Sequence, residues 1–302
     1  MSEPLVTIVV SAGGASEQML TTCLDALERH QSSTESKVVV VAPWHQAGIP
    51  ARVCQDAGIE FRHFEVDADN LSGSRVHAAV LDRMVPHIDT TFLLTLDADC
   101  FPVADDWLDA LVAPIGGGAS VSGILHPYAP PLPVNMTSLE YRIRSQLCNW
   151  NTHVACQLVG MQTLKKLGVG FSDGDDTGLA IPVKARQMGM RVTGLPLTGC
   201  ADADQDWQEK ESNRECCLLF GDKVYHHGGG CREEQSRGDP LEAWNPVREQ
   251  ILAGGGAEFL LGGSRTYRYS FSHEEEVAEQ MVSRIMRGMQ IYLQTHNRAF
   301  KE

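Results

Sequence analysis

Short apolar and β-branched runs alternate with amphipathic stretches through the first hundred residues. Leu5–Val10, Lys37–Ala42, Ile59–Val66 and Thr91–Leu96 read as strands, the second and fourth nearly continuous in apolar residues. Such runs suit parallel strands buried on both faces. Between the first two, Ser16 can cap a helix whose Leu20, Cys23, Leu24 and Leu27 share one face. Between the third and fourth, Arg75–Val85 has helical spacing and is stopped by Pro86. Repeated βα units predict a parallel sheet with right-handed crossovers, and ligands that bind beyond the C-terminal ends of its strands.

After about Ala113 the pattern loosens. Ala129–Val134 is proline-rich and reads as an extended loop; Asp176–Met188 reads as a helix closed by Gly189, and Arg191–Leu195 as a short strand. Glycines punctuate Gly228–Gly263 as in surface loops. Glu274–Thr295 reads as a long amphipathic helix with Val277, Met281, Ile285 and Tyr292 toward a core.

The strongest chemical signal is Phe92-Leu-Leu-Thr-Leu-Asp97-Ala-Asp99-Cys-Phe-Pro102. An apolar strand ends and at once presents two carboxylates one residue apart. At the C-terminal end of a parallel strand both lie in the ligand crevice, where alternate residues can share one hard cation. The competing reading makes Asp97 and Asp99 ordinary turn or cap residues. The apolar strand before them and the Pro102…Asp105-Asp106-Trp107-Leu run after them favour the metal.

That segment resembles the Asp-x-Asp region of GT-A glycosyltransferases, particularly their large inverting family. The resemblance covers about residues 5–230. It implies a Rossmann-like, mostly parallel α/β sheet flanked by helices, with an acceptor-side subregion, a C-terminal helix, and a divalent cation, Mn²⁺ or Mg²⁺. It assigns residues 1–230 to a nucleotide-sugar-binding catalytic domain and 231–302 to a loop and helical extension packed on it. Ser11, following the first strand, corresponds to the nucleotide-contacting turn, and Arg75 in Ser74-Arg-Val-His77 can face the diphosphate. Where many members carry Asp-Asp-Gly-Ser after strand two, this chain has Ala42-Pro43-Trp44-His45. The usual base contact is missing there: Trp44 can stack on the base, unless it packs, and Asp67 and Asp69 after the third strand are alternative contacts to base or ribose.

Two further elements carry the same resemblance. Gly170-Phe-Ser-Asp-Gly-Asp175-Asp176-Thr-Gly-Leu179 resembles the element that places an acid at a helix start toward the acceptor. Transfer with inversion needs a base for the attacking hydroxyl. Asp176 aligns best with that base, with Asp175 its alternative. In Lys223-Val-Tyr-His226-His227-Gly-Gly-Gly, a histidine before glycines resembles the family's third metal ligand. The His-x-Gly-Gly spacing favours His226 over His227, and the resemblance has Asp99 and His226 hold the metal while Asp97 assists through the donor's ribose or a water. One imidazole beside carboxylates suits Mn²⁺ better than an all-oxygen set would.

Charge and composition narrow the alternatives. A formal net charge of −14 argues against nucleic acid or an anionic membrane as partner. An acidic enzyme can still hold an anionic nucleotide through a bound cation. No apolar run reaches the roughly 18 residues that span a bilayer, and Met1–Pro4 lacks the basic start of a signal peptide. Nine cysteines without paired spacing read as reduced core thiols, which points to the cytoplasm. The expected partners are a nucleotide-sugar donor, with a UDP-sugar favoured by resemblance only, and an unidentified acceptor. Self-association as a homo-oligomer is left open. The nearest rival is a sugar-phosphate nucleotidylyltransferase, but the Ser11-Ala-Gly-Gly-Ala15 turn lacks the Lys or Arg such enzymes carry there. A non-catalytic nucleotide- or sugar-binding protein is the second rival. No Gly-x-Ser-x-Gly elbow suggests a hydrolase.

Overall fold

The computed structural model describes residues 4–67, 71, 73–126, 151–174, 176–200, 218–228, 248–254 and 267–268. Apart from His126 and Asn151, these belong to one compact unit. Asp69, Asp175, the Ala129–Val134 loop and the Glu274–Thr295 helix lie outside the described residues.

The apolar runs form the expected strands: β1 (Val6–Ser11), β2 (Ser36–Pro43), β3 (Glu60–Phe64) and β4 (Phe92–Asp97). Val6 through Val10 are all buried, as a strand covered on both faces requires. Helices α1 (Glu17–Arg29), α2 (Gly48–Ala57) and α3 (Gly73–Met84) make the crossovers. Ser16 caps α1 by accepting the Met19 amide at 3.2 Å. β1 pairs in parallel with β2 and β4, and β2 in parallel with β3.

Among the described residues beyond Ala113 the structure is more regular than the sequence pattern suggests. α4 (Trp107–Gly116) leads to β6 (Ala119–His126), and β7 (Asn151–Gly160) to α5 (Met161–Leu167), α6 (Ala180–Gln187) and β8 (Arg191–Val192). The main sheet has the order β3-β2-β1-β4-β7-β6-β8. β7 runs antiparallel to β4. This mostly parallel seven-stranded sheet with flanking helices is consistent with the GT-A Rossmann-like fold. The run expected at Arg191–Leu195 keeps two ladder residues and a single bridge from Leu195 to Ile124.

A second sheet sets the site. β5 (Cys100–Pro102) leaves β4 through a two-residue turn and joins β9 (Leu197–Cys200), β10 (Leu218–Phe220), β11 (Val224–His226) and β12 (Tyr267–Arg268) in the order β12-β9-β10-β11-β5. Two described parts of the C-terminal stretch belong to this same unit. β12 pairs with β9, and Arg248 reaches Thr22 Oγ1 on α1 at 3.2 Å. Among the described residues, no helix is long and apolar enough to cross a membrane.

Candidate metal and nucleotide site

Parallel register carries the acidic pair to the ligand edge of the sheet. Ser11 pairs with Asp97 across β1 and β4, and the Ala98 amide donates to Ser11 O at 3.1 Å. Asp97 therefore ends β4 and Asp99 sits just beyond it, at the C-terminal edge where open α/β sheets bind ligands. β5 then pairs antiparallel with β11, setting His226 opposite Cys100. The Phe101 and Tyr225 rings stack with centroids 6.2 Å apart and hold that pairing in the core.

The result is a cluster of Asp97, Asp99 and His226, each offering one ligand atom within 4.8 Å of the others. His226 Nε2 lies 3.7 Å from Asp99 Oδ1, and both side chains are buried. His227, the alternative ligand, has another engagement: its Nδ1 lies 3.0 Å from the Tyr225 hydroxyl, and its amide donates to Asp99 O at 2.8 Å.

The donor set fits a divalent cation. Asp97 Oδ1 and His226 Nδ1 are buried without a hydrogen-bond partner. Burial lowers the His226 pKa from 6.5 to about 4, so the imidazole is neutral at pH 7, as a ligand must be. Burial first, then the charges of Asp99 and Asp176, push the Asp97 carboxyl well above the usual carboxylate range. A bound dication would reverse that penalty. Two carboxylates and one imidazole match Mn²⁺, and Mg²⁺ less well.

A cleft of about 500 Å³ opens over this cluster. Its lining includes Ser11, Gly13, Gly14, His45 and Gln46, Asp97 and Asp99, and Ser74, His77, His153, Asp176 and Thr177. Its size falls in the range of small-molecule sites. Among its described lining residues there is no Lys or Arg.

The other sequence-selected residues divide between the cleft and its surroundings. Ser11 and Asp176 line it; Arg75 is exposed on α3 and Asp67 is exposed after β3, and neither is among the lining residues. Asp69 and Asp175 lie outside the described residues. Trp44 is 60% exposed, packs its ring edge against His63 at 4.8 Å, and is absent from the lining. Its neighbours His45 and Gln46 enter the cleft instead. Asp176 does not begin a helix as its spacing suggests, because α6 starts at Ala180. It stands in the preceding turn, where its Oδ1 accepts the Thr177 amide at 2.9 Å. Burial raises its pKa despite that bond.

His77 and His153 are cleft residues to which the sequence reading assigned no role. His77 Nε2 approaches Asp97 Oδ1 to 3.4 Å, but neither atom has a hydrogen bond, so this approach is too poorly aligned to count as one. Burial lowers its pKa to about 4 as well. The His153 ring lies 5.6 Å from that of His226. The helical spacing of Ser74, His77 and Val80 on one face of α3 was the signal available for His77. His153 lies on β7, which the sequence pattern did not reveal.

No protein-family model matches the chain, and no curated protein matches it. Solved structures resemble it distantly. A Pyrobaculum calidifontis mannosyltransferase in complex with GDP-Man and Mn²⁺ is 18% identical over 65% of this chain and 56% of that one, with a TM-score of 0.45. The match thus spans little more than half of that enzyme. Mycobacterium tuberculosis glucosyl-3-phosphoglycerate synthase, in complex with Mn²⁺, UDP and glucosyl-3-phosphoglycerate, is 14% identical over 83% of this chain and 78% of that one, with a TM-score of 0.48. A 4-diphosphocytidyl-2C-methyl-D-erythritol synthase from Anaerococcus prevotii is 8% identical over 64% of this chain and 89% of that one, with a TM-score of 0.43. Likeness this distant leaves the activity to be argued from the site.

Proposed function

We propose that the chain is a metal-dependent glycosyltransferase that moves a sugar from a nucleotide-diphosphate sugar to an acceptor hydroxyl, with inversion at the anomeric carbon. One observation carries the reading: a nucleotide-sized cleft is lined by Asp97, Asp99 and Asp176 and by no described Lys or Arg, and the first two of these cluster with His226. An anionic diphosphate enters such a cleft only if a cation offsets the carboxylates.

Asp97, Asp99 and His226 would hold that cation, and when bound it supplies countercharge to the leaving diphosphate. Ser11 and the Gly13–Gly14 turn let the nucleotide approach the strand ends closely. Asp176, its pKa raised by burial, takes the proton from the attacking acceptor hydroxyl. All these residues lie within 1–230, the proposed catalytic domain, with 231–302 as its extension. A UDP-sugar donor, a cytoplasmic setting and homo-oligomer formation remain parts of this reading that rest on the sequence.

The cleft also bears on the nucleotidylyltransferase alternative. The Ser11–Ala15 turn enters the cleft through Gly13 and Gly14 with no basic side chain to hold a triphosphate. The leaving group tests the choice. Incubating the protein with Mn²⁺ and a panel of nucleotide sugars, or with nucleoside triphosphates and sugar phosphates, should release nucleoside diphosphate from the former. Pyrophosphate release from the latter would replace the proposed reaction.

A further inference from the structure

Asp82 breaks a local rule. It stands in the last turn of α3, where the helix dipole disfavours a negative charge. A residue that opposes local preference commonly has a tertiary task. Its carboxylate reaches across to the segment that carries Asp176. Oδ1 accepts the Phe171 amide at 2.6 Å, and Oδ2 accepts the Ser172 amide at 3.1 Å and the Ser172 hydroxyl. Hydrogen bonds to an ionised acceptor are stronger than neutral ones. Phe171 is fully buried, so its amide would be costly to leave unpaired.

Gly170 completes the fit. A Cβ there would come within 2.5 Å of Asp82 Oδ1, so only glycine lets the loop lie this close to the carboxylate. A second tie joins the same loop to the other end of the helix, where Thr177 Oγ1 donates to Ser74 O at 2.6 Å. Asp82 lies eight positions along the helix from Ser74, about 12 Å along the axis. The loop is thus splinted along α3, with Asp176 next to the Thr177 tie. The same helix presents Ser74 and His77 to the cleft.

We infer that Asp82, with Gly170 as its partner, is a positioning residue that latches the Gly170–Gly174 segment to α3 and so helps hold Asp176 at the donor cleft. The inference rests on the proposed role of Asp176. α3 then couples the two halves of the site: donor contacts on its cleft face, and placement of the base through Asp82.

The test is a double-mutant cycle combined with amide hydrogen exchange on the full chain. Asp82→Asn should speed exchange of the Phe171 and Ser172 amides at least tenfold. It should lower kcat about 10²-fold, the scale of a misplaced catalytic group. Kd for Mn²⁺ and for UDP should stay within twofold. Adding Asp82→Asn to Asp176→Asn should cost little more than Asp176→Asn alone, because both act through one group. Gly170→Ala keeps the carboxylate but crowds it, and should reproduce the exchange and kcat effects if Asp82→Asn does not fold. Unchanged exchange in Asp82→Asn or Gly170→Ala would overturn the latch. Additive losses in the double variant would show a structural contribution independent of Asp176 and overturn the positioning role. If the wild-type protein transfers no sugar from any donor, the glycosyl-transfer reading fails, and the latch is judged on exchange alone.

Discussion

His226 Nε2 lies 3.7 Å from Asp99 Oδ1, with both side chains buried and each held in place by a short strand of the second sheet. β5 begins one residue after Asp99, and β11 ends at His226. Their antiparallel register therefore builds the metal cluster as a consequence of strand pairing. The geometry separates the two adjacent histidines. His226→Ala should weaken Mn²⁺ binding by at least 10- to 100-fold, the range seen when even an outer-shell partner is lost. His227→Ala removes the partner of the Tyr225 hydroxyl and should cost less. Calorimetric titration of Mn²⁺ into each variant checks the order, and the reverse order would make His227 the ligand.

Asp97 should oppose the metal-free fold at neutral pH. Its folded pKa is raised above the unfolded value, so between the two values the native state holds a proton the unfolded state has lost. Stability from this group is present below the unfolded pKa and is lost as pH rises through the folded one. In chelator-treated protein at pH 7.5, Asp97→Asn should raise the Tm. The advantage should shrink as the pH falls toward the ordinary carboxylate range. The same substitution should abolish stabilisation by Mn²⁺. A metal-free Tm below wild type at pH 7.5 would contradict the assigned cost.

The buried imidazoles act in the opposite direction. His77 and His226 have folded pKa values lowered to about 4 from 6.5. The unfolded chain therefore takes up protons first, and metal-free stability should decline as pH falls from about 6.5 to about 4. His77→Gln should reduce the pH slope of unfolding free energy in that window by about one proton. Urea melts at a series of pH values measure it, and an unchanged slope would mean that His77 protonates equally in both states.

If Asp176 is the acceptor base, Asp176→Asn keeps its shape but cannot take the proton. Transfer should fall about 10²–10⁴-fold with donor and metal affinity preserved. In wild type the acid limb of the kcat profile should be shifted upward from that of an ordinary aspartate, following the raised pKa. That limb should disappear from the residual activity of the variant. Wild-type turnover in a folded Asp176→Asn protein would remove Asp176 from the chemistry.

The first half of this architecture was legible because its strands are covered on both faces, leaving continuous apolar runs such as Val38–Val41, and because Ser16 and Pro86 mark helix boundaries. Asp97 and Asp99 were legible for the same reason, since an apolar strand ends on them. The second sheet was not. β10 and β11 are three residues long, too short for any periodicity, and their partners are set by tertiary pairing. The displaced start of α6 has a local cause: Gly178 takes a φ of +69°, which interrupts the helical path between Asp176 and Ala180. Trp44 was read as a base-stacking candidate from its position after β2, but the turn of the 3₁₀ segment Trp44–Gln46 sends His45 and Gln46 into the cleft instead.

Thermal unfolding of wild type and Asp99→Ala with UDP, GDP and CDP, each with and without Mn²⁺, tests the central claim most directly. Ligand that binds only the native state at 100 times its Kd adds about 2.7 kcal/mol of stability. The account predicts that at least one nucleoside diphosphate raises the wild-type Tm by several degrees when Mn²⁺ is present, and not when it is absent. The metal-dependent rise should vanish in a folded Asp99→Ala protein. An equal rise without Mn²⁺, or an undiminished one in Asp99→Ala, would contradict the assignment of this cluster as the cation site that admits the nucleotide.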